Sequence, residues 1–332
     1  MSKEKAHRTM IGGQAVIEGV MMRGVQSSAV AVRAPDGKVR LKVWENSQIS
    51  TRFPVLGLPI LRGVVNFVEM LRIGYRTMSL SAEMAEGKEP ASSEEVERTA
   101  PSFSLETESA SSLSPAVQPV NTGEKEKSSD PSLYISLAIG LLIAIVLFLY
   151  LPSVLVKYTA GISQAGIFKT LIEGGIRIAL FVGYLALISR MKEMRRLFAY
   201  HGAEHKTIYC YEHGEPLTPG NAQRFTRLHP RCGTSFLLIV LIIGIVASSF
   251  LPWDNLALRL VLKLVLLPLV VGVSYELIRF AGRHDGGIMR AVLAPGLWLQ
   301  KLTTQEPDEE QLEVAICSLQ AVLTDNPADD AW

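Results

Sequence analysis

Residues 133–156 read LYISLAIGLLIAIVLFLYLPSVLV and carry no charge. A helix rises about 1.5 Å per residue, so about 20 apolar residues cross the roughly 30 Å hydrocarbon core of a bilayer. The stretch is long enough to do so, and 235–251, SFLLIVLIIGIVASSFL, is equally free of charge. Two further apolar windows, 171–189 and 256–280, hold Arg177 in one and Arg259 and Lys263 in the other. Charged side chains at membrane depth must snorkel, pair or face protein. The whole chain is 48% hydrophobic and 20% charged with a mean hydropathy of +0.24 although it contains a long polar stretch, so its apolarity is concentrated in these windows. They predict a mainly α, polytopic helical membrane protein with about four transmembrane helices and the lipid bilayer as its first partner.

The chain does not open on an apolar h-region followed by a small-residue cleavage site, so the first span is expected to act as the targeting signal. Lysine and arginine are abundant before that span, in the 190–234 loop and after the fourth window, and sparser in the connections 157–170 and 252–255. The positive-inside rule then places the N-terminus, the 190–234 loop and the C-terminus in the cytoplasm. An even number of spans in the inner (plasma) membrane satisfies all three placements. Cys210, Cys232 and Cys317 fall on that reducing side, which argues against a disulfide framework. A net charge of +1 offers no electrostatic footprint for nucleic acid.

From Gln14 to Ser50 the runs AVIEGVMMRG, SSAVAVRAP and KVRLKVW are separated by glycine or by the turn Pro35-Asp36-Gly37-Lys38. This predicts a small cytoplasmic antiparallel β unit of three strands, too small to hold a core unless it leans on a helix or on the membrane domain. The following segment, VLGLPILRGVVNFVEMLRIGYRTM, sets Arg62, Asn66, Glu69, Arg72 and Arg76 on one stripe. That is an amphipathic helix, either lying in the membrane interface or packed on the β unit or the spans. Residues 1–80 thus form one region. Residues 81–132, acidic, serine-rich and spaced by proline, read as a disordered linker, because they offer too little apolar surface to offset the entropy of ordering. The membrane domain spans 133–300. In the tail, 301–332, Leu312, Ile316, Leu319 and Leu323 share one face and predict a short docked helix.

The chemically suggestive residues sit in the 190–234 loop. His201, Glu204 and His205 form H-x-x-E-H. On one helix, imidazoles four residues apart face the same way, so they can hold zinc while the carboxylate acts as general base. Gly202 lies inside the helix this requires. The competing reading is two partly exposed histidines, with Glu204 paired to Lys206 or an arginine. Cys210 and His213 form C-x-x-H, and His229 and Cys232 form H-x-x-C, together the composition of a structural zinc site. Alternatively, His229 or Cys232 completes the His201–His205 site. Cys232 beside Arg231 also reads as a nucleophile. Glu276, His284 and Asp285 are reserve ligands on the same membrane face.

GGQAVIEGVMMRG from Gly12, HGAEHK from His201 and HPRCGTSF from His229, with the surrounding spans, resemble the YqhQ-like family of bacterial membrane proteins. That family is of unknown function and is commonly described as predicted metal-dependent enzymes. The resemblance covers nearly the whole chain apart from the acidic linker. It implies a cluster of His201, His205, His229 and Cys232 around a divalent metal, zinc first, with Glu204 as general base. Gln14, Glu18 and Arg23 are drawn toward the site by the same token. Two functions compete: a metal-dependent hydrolase with a cytoplasmic-face site, and a non-catalytic membrane scaffold or assembly factor that binds a protein partner there.

Overall fold

The computed structural model describes residues 8–46, 54–87, 131–158, 166–283, 287–324 and 330. Most of the expected linker, and His284 with Asp285, lie outside them.

Four strands, β1 (Gly12–Val16), β2 (Gly19–Arg23), β3 (Ser27–Arg33) and β4 (Val39–Glu45), pair antiparallel in sequence order. Three strands were expected here, and the difference lies at Ile17-Glu18. The run AVIEGVMMRG folds back on itself, pairing Val16 with Gly19, because Glu18 takes a left-handed φ of 52°. No Asn-Gly or Asp-Gly marks that turn. Side chains alternate across the sheet as strand geometry requires. Val20, Met22, Ala29 and Ala31 face one core, whereas Val16, Met21, Val30 and Val32 face another.

The second core is closed by a helix, α1 (Leu61–Ala85), through Ile73, Leu80 and Met84. Arg62, Asn66 and Glu69 of its polar stripe turn inward, whereas Arg72 and Arg76 are exposed. Arg62 pairs with Glu276, Asn66 Nδ2 donates to the Tyr275 hydroxyl at 2.8 Å, and Arg23 meets Glu69 at 3.2 Å. Leu61, Val68, Met70, Leu71 and Tyr75 are exposed instead. The helix therefore packs on both the sheet and an apolar helix, with Ile73, Leu80 and Met84 in the core and a second group of apolar residues left facing out.

A rod, α2, runs from Pro131–Ile145 through a π turn (Val146–Tyr150) into Leu151–Tyr158. It is followed by α3 (Gly166–Ile188), α4 (Lys192–Glu212), the short α5 (Pro219–Ala222), α6 (Gly233–Ser248), α7 (Leu256–Arg283), α8 (Gly287–Thr303) and α9 (Glu309–Gln320). Among the described residues three helical stretches are long and apolar enough to cross a membrane: Ala138–Lys157, Gly166–Ile188 and Leu256–Ala281. The window at 235–251 gives only the 16 residues of α6, which stops at Ser248 where the chain turns. The protein is thus mainly helical with three candidate spans, one fewer than the sequence windows suggest.

The tail helix α9 is capped by Asp308, whose carboxylate accepts from Gln311 N while Gln311 Oε1 accepts from Asp308 N, a reciprocal box. It buries Leu312, Ile316 and Leu319 beside Tyr200, Ala203 and Ile208 of α4 in the first sheet core. The sheet is thereby layered between α1 and the α4–α9 pair.

Candidate metal centre

Helix α4 runs unbroken through Gly202 for 21 residues. Glycine weakens a helix, but here the segment after α8 lies against it. A Cβ at 202 would overlap the Gln305 carbonyl oxygen. That close approach lets Gln305 N donate to Phe198 O at 2.8 Å and brings the Thr303 carbonyl within 2.8 Å of His201 Nδ1. His205 Nδ1 meets the Arg227 carbonyl in the same fashion. A carbonyl oxygen only accepts, so both imidazoles carry a proton on Nδ1, and in the neutral form each offers the Nε2 lone pair. Fixing a ring by its second nitrogen is how metal-ligating histidines are oriented.

His201 Nε2 lies 3.1 Å from Cys232 Sγ. His205 Nε2 is buried and has no hydrogen-bond partner among the described residues. One ligand atom from each of His201, His205 and Cys232 falls within 4.8 Å of the others. Zn–N bonds of about 2.0 Å and Zn–S bonds of about 2.3 Å at tetrahedral angles put ligand atoms about 3.3–3.5 Å apart, so roughly an ångström of adjustment closes the trio on an ion. The orphaned Nε2 and the N, N, S donor set fit such a cation.

Cys232 is the N-cap of α6, and its sulfur accepts from Thr234 N at 3.5 Å and sits 3.3 Å from Thr234 Oγ1. Burial opposes the thiolate, but His205 and the Thr234 hydrogen bonds outweigh it and carry the thiol below its ordinary pKa. Burial lowers the pKa of His205, with the Cys232 sulfur opposing the fall. Glu204 Oε1 accepts from Gly13 N at 3.0 Å, whereas Oε2 is buried without a partner among the described residues. Burial pushes this carboxyl up to about 7, with Cys232 adding to the rise and His201 and the Gly13 N–H opposing it. Glu204 does not pair with Lys206, which reaches Glu306 at 2.8 Å.

His229, expected as a fourth ligand, stands beside the trio and outside it. Its ring is 5.5 Å from that of His205 between centroids, and its Nε2 lies 4.0 Å from Glu212 Oε2 and 3.4 Å from Arg231 Nη2. Gln300 holds its backbone on both sides, at 2.7 Å each. Glu212 also binds Arg231 and accepts from Thr9 N at 2.9 Å. Burial raises the Glu212 pKa, yet these partners pull it below the usual range. The Cys210–His213 pair does not join: Cys210 Sγ donates to the Glu215 and Pro216 carbonyls, and His213 Nδ1 meets Tyr209 O at 2.7 Å. Glu276 is taken by Arg62. Gln14, Glu18 and Arg23 serve the scaffold, bonding Thr77 at 3.0 Å, Arg196 and Glu69.

Sequence reasoning passed over three contributors. Gly13 brings β1 against Glu204, where a Cβ would crowd the carboxyl carbon. Glu212 lies two turns beyond His205, and Gln300 is a polar residue in the apolar run GLWLQ. The doubled glycine and that isolated glutamine were the available signals.

A family described as a protein of unknown function (DUF1385) matches residues 58–325, which hold the trio and Glu204. The uncharacterized protein YqhQ of Bacillus subtilis (strain 168) is 34% identical over 331 residues, covering 97% of this chain and 95% of that protein. The chain belongs to the YqhQ-like family. No solved structure matches it. The matched stretch of this chain holds both the candidate spans and the His–Cys trio.

Proposed function

We propose that this protein is a multi-pass inner-membrane, metal-dependent hydrolase whose centre is His201, His205 and Cys232, with Glu204 as general base at the cytoplasmic face. The observation that carries the reading is the buried, partnerless His205 Nε2 beside His201 and Cys232, with both imidazoles locked through Nδ1. When bound, a divalent cation such as zinc supplies Lewis-acid polarisation of water and of a carbonyl or phosphoryl oxygen. His201 and His205 present their Nε2 atoms, and Cys232 presents a thiolate favoured by the α6 N-terminus. Glu204, with a pKa near neutrality, takes a proton at Oε2 while the Gly13 N–H steadies Oε1. His201 and Cys232 are half-buried and His205 is buried.

In this reading α6 is the fourth crossing, short and extended by Phe250 and Leu251. Two contacts support the topology. The sheet, α4 and α9 share one core, which keeps the N-terminal region, the 190–234 loop and the tail together. At the other end, Trp253 Nε1 donates to Gly166 O at 3.1 Å, joining the turn after α6 to the start of α3.

The His201–Cys232 contact favours a second reading, a thiol nucleophile with His201 as base and Thr303 O as its orienting group. The two separate on Glu204→Gln and Cys232→Ala variants in a strain lacking the protein. The hydrolase reading expects Glu204→Gln to retain metal yet fail to complement. A Glu204→Gln protein that complements fully, with Cys232 alkylated and no metal bound, contradicts it.

A further inference from the structure

At the end of the membrane helices away from the His–Cys trio, three cations surround one carboxylate. Glu173 is 1% exposed and receives Lys263, Arg177 at 2.9 Å and Arg259 at 2.9 Å. Arg259 is 0% exposed, Arg177 7% and Lys263 8%, so none snorkels. Among the described residues Glu173 is the one carboxylate that touches them. The formal balance, three positive charges against one negative, leaves two positive charges uncompensated inside apolar helices.

Joining helices does not require that surplus. Arg259 already anchors the turn by donating to Leu251 O at 2.7 Å, and Arg177 Nε ties α3 to α2 through Phe148 O at 2.8 Å. One carboxylate and one arginine would complete such a clasp, and each further unpaired cation raises the desolvation cost. The donors are also incompletely used: Arg259 Nε is buried and has no partner among the described residues. Trp253 stacks on Arg259, 3.8 Å from guanidinium carbon to ring centroid, a residue type suited to headgroup level. Between α2 and α3, an apolar groove of about 490 Å³ is bordered by Leu147 and Ile176, the chain neighbours of Phe148 and Arg177, and by Leu180 and Leu187.

We propose that the Arg177, Arg259 and Lys263 cluster binds a phosphate-class oxyanion, with Arg259 Nε and the third proton of the Lys263 ammonium, whose other two go to Glu173 and Ser153, as its donors and Glu173 holding the cations in place. Arginine suits this ligand because its planar donors match phosphate oxygens. The phosphate is either a lipid headgroup, its acyl chain lying in the adjoining groove, or a free anion from solution.

The test uses the full chain in nanodiscs of phosphatidylcholine, with or without phosphatidylglycerol. Trp253 is kept as the sole tryptophan by changing Trp44, Trp298 and Trp332 to phenylalanine. Native mass spectrometry is expected to show phosphatidylglycerol retained at least tenfold over phosphatidylcholine, and Trp253 emission to saturate with it. A response to inorganic phosphate in pure phosphatidylcholine assigns the free anion instead. Lys263→Gln is expected to weaken either response by tenfold or more. Where that variant does not fold, Trp253 emission of the protein with all three cations decides. Emission unmoved by either ligand, or a retention preference that survives in folded Lys263→Gln, overturns the proposal.

Discussion

Replacing Gly202 with alanine tests whether the segment after α8 builds the centre. The new Cβ collides with the Gln305 carbonyl oxygen, and backbone rather than a flexible side-chain end must yield. Regaining van der Waals separation moves that segment by about 1 Å. The shift strains Gln305 N to Phe198 O, His201 Nδ1 to Thr303 O and Arg227 to Thr304 O. At about 1 kcal/mol net for each hydrogen bond, Gly202→Ala costs about 2–3 kcal/mol of stability. Freeing His201 from its orienting carbonyl lowers metal affinity by about 10–100-fold, the usual effect of losing such a partner. Denaturant unfolding in detergent measures the first quantity, and competition with a chromophoric chelator the second. Wild-type stability together with wild-type metal affinity in Gly202→Ala would refute the reasoning.

Glu212→Ala leaves the half-buried Arg231 and the buried His229 without their carboxylate and is expected to destabilise the protein by about 3 kcal/mol, read as a fall in melting temperature. The metal-free protein also has a predictable pH response. Glu204 rises from 4.5 to about 7 on folding, so the folded state holds the extra proton between these values. Its contribution is fully present below pH 4.5 and lost as pH rises through 7, at most about 3 kcal/mol. Glu204→Gln should flatten that part of the stability–pH curve and be the more stable protein at pH 8; an unchanged slope counts against the buried carboxylate. Arg196→Ala removes a half-exposed pair with Glu18 and is expected to change stability by no more than about 1 kcal/mol in the same unfolding assay.

Apolar periodicity made the helical architecture legible, because a run such as 133–156 leaves a helix few alternatives to a bilayer or a core. The same reading overestimated 235–251, where hydropathy continues through Phe250 and Leu251 but the backbone turns after Ser248. Hydropathy reports where a chain is greasy and is blind to where a helix ends. The β unit was legible, but its fourth strand was not: a left-handed Glu18 makes the turn without the dipeptide that normally announces it. The choice posed for α1 could not be made from its pattern, because Arg62, Asn66 and Glu69 of its polar stripe bind Glu276, Tyr275 and Arg23 while Leu61, Val68 and Leu71 stay exposed. At the centre, i, i+4 spacing found His201 and His205, and the HPRC segment supplied Cys232. That His229 points toward Glu212 depends on a long-range fold, since Glu212 and Arg231 meet only once the loop closes. Glu173 lay in plain view beside Arg177, yet its partners Arg259 and Lys263 come from a helix some 90 residues away.

The most direct measurement of the central claim is X-ray absorption of the purified full chain after metal-supplemented preparation, with elemental analysis of the same sample. The account predicts one zinc per chain, with imidazole nitrogens at about 2.0 Å, one sulfur at about 2.3 Å and loss of the metal in His205→Ala. A chain without stoichiometric metal, or a bound metal lacking the sulfur and retained in His205→Ala, would contradict it.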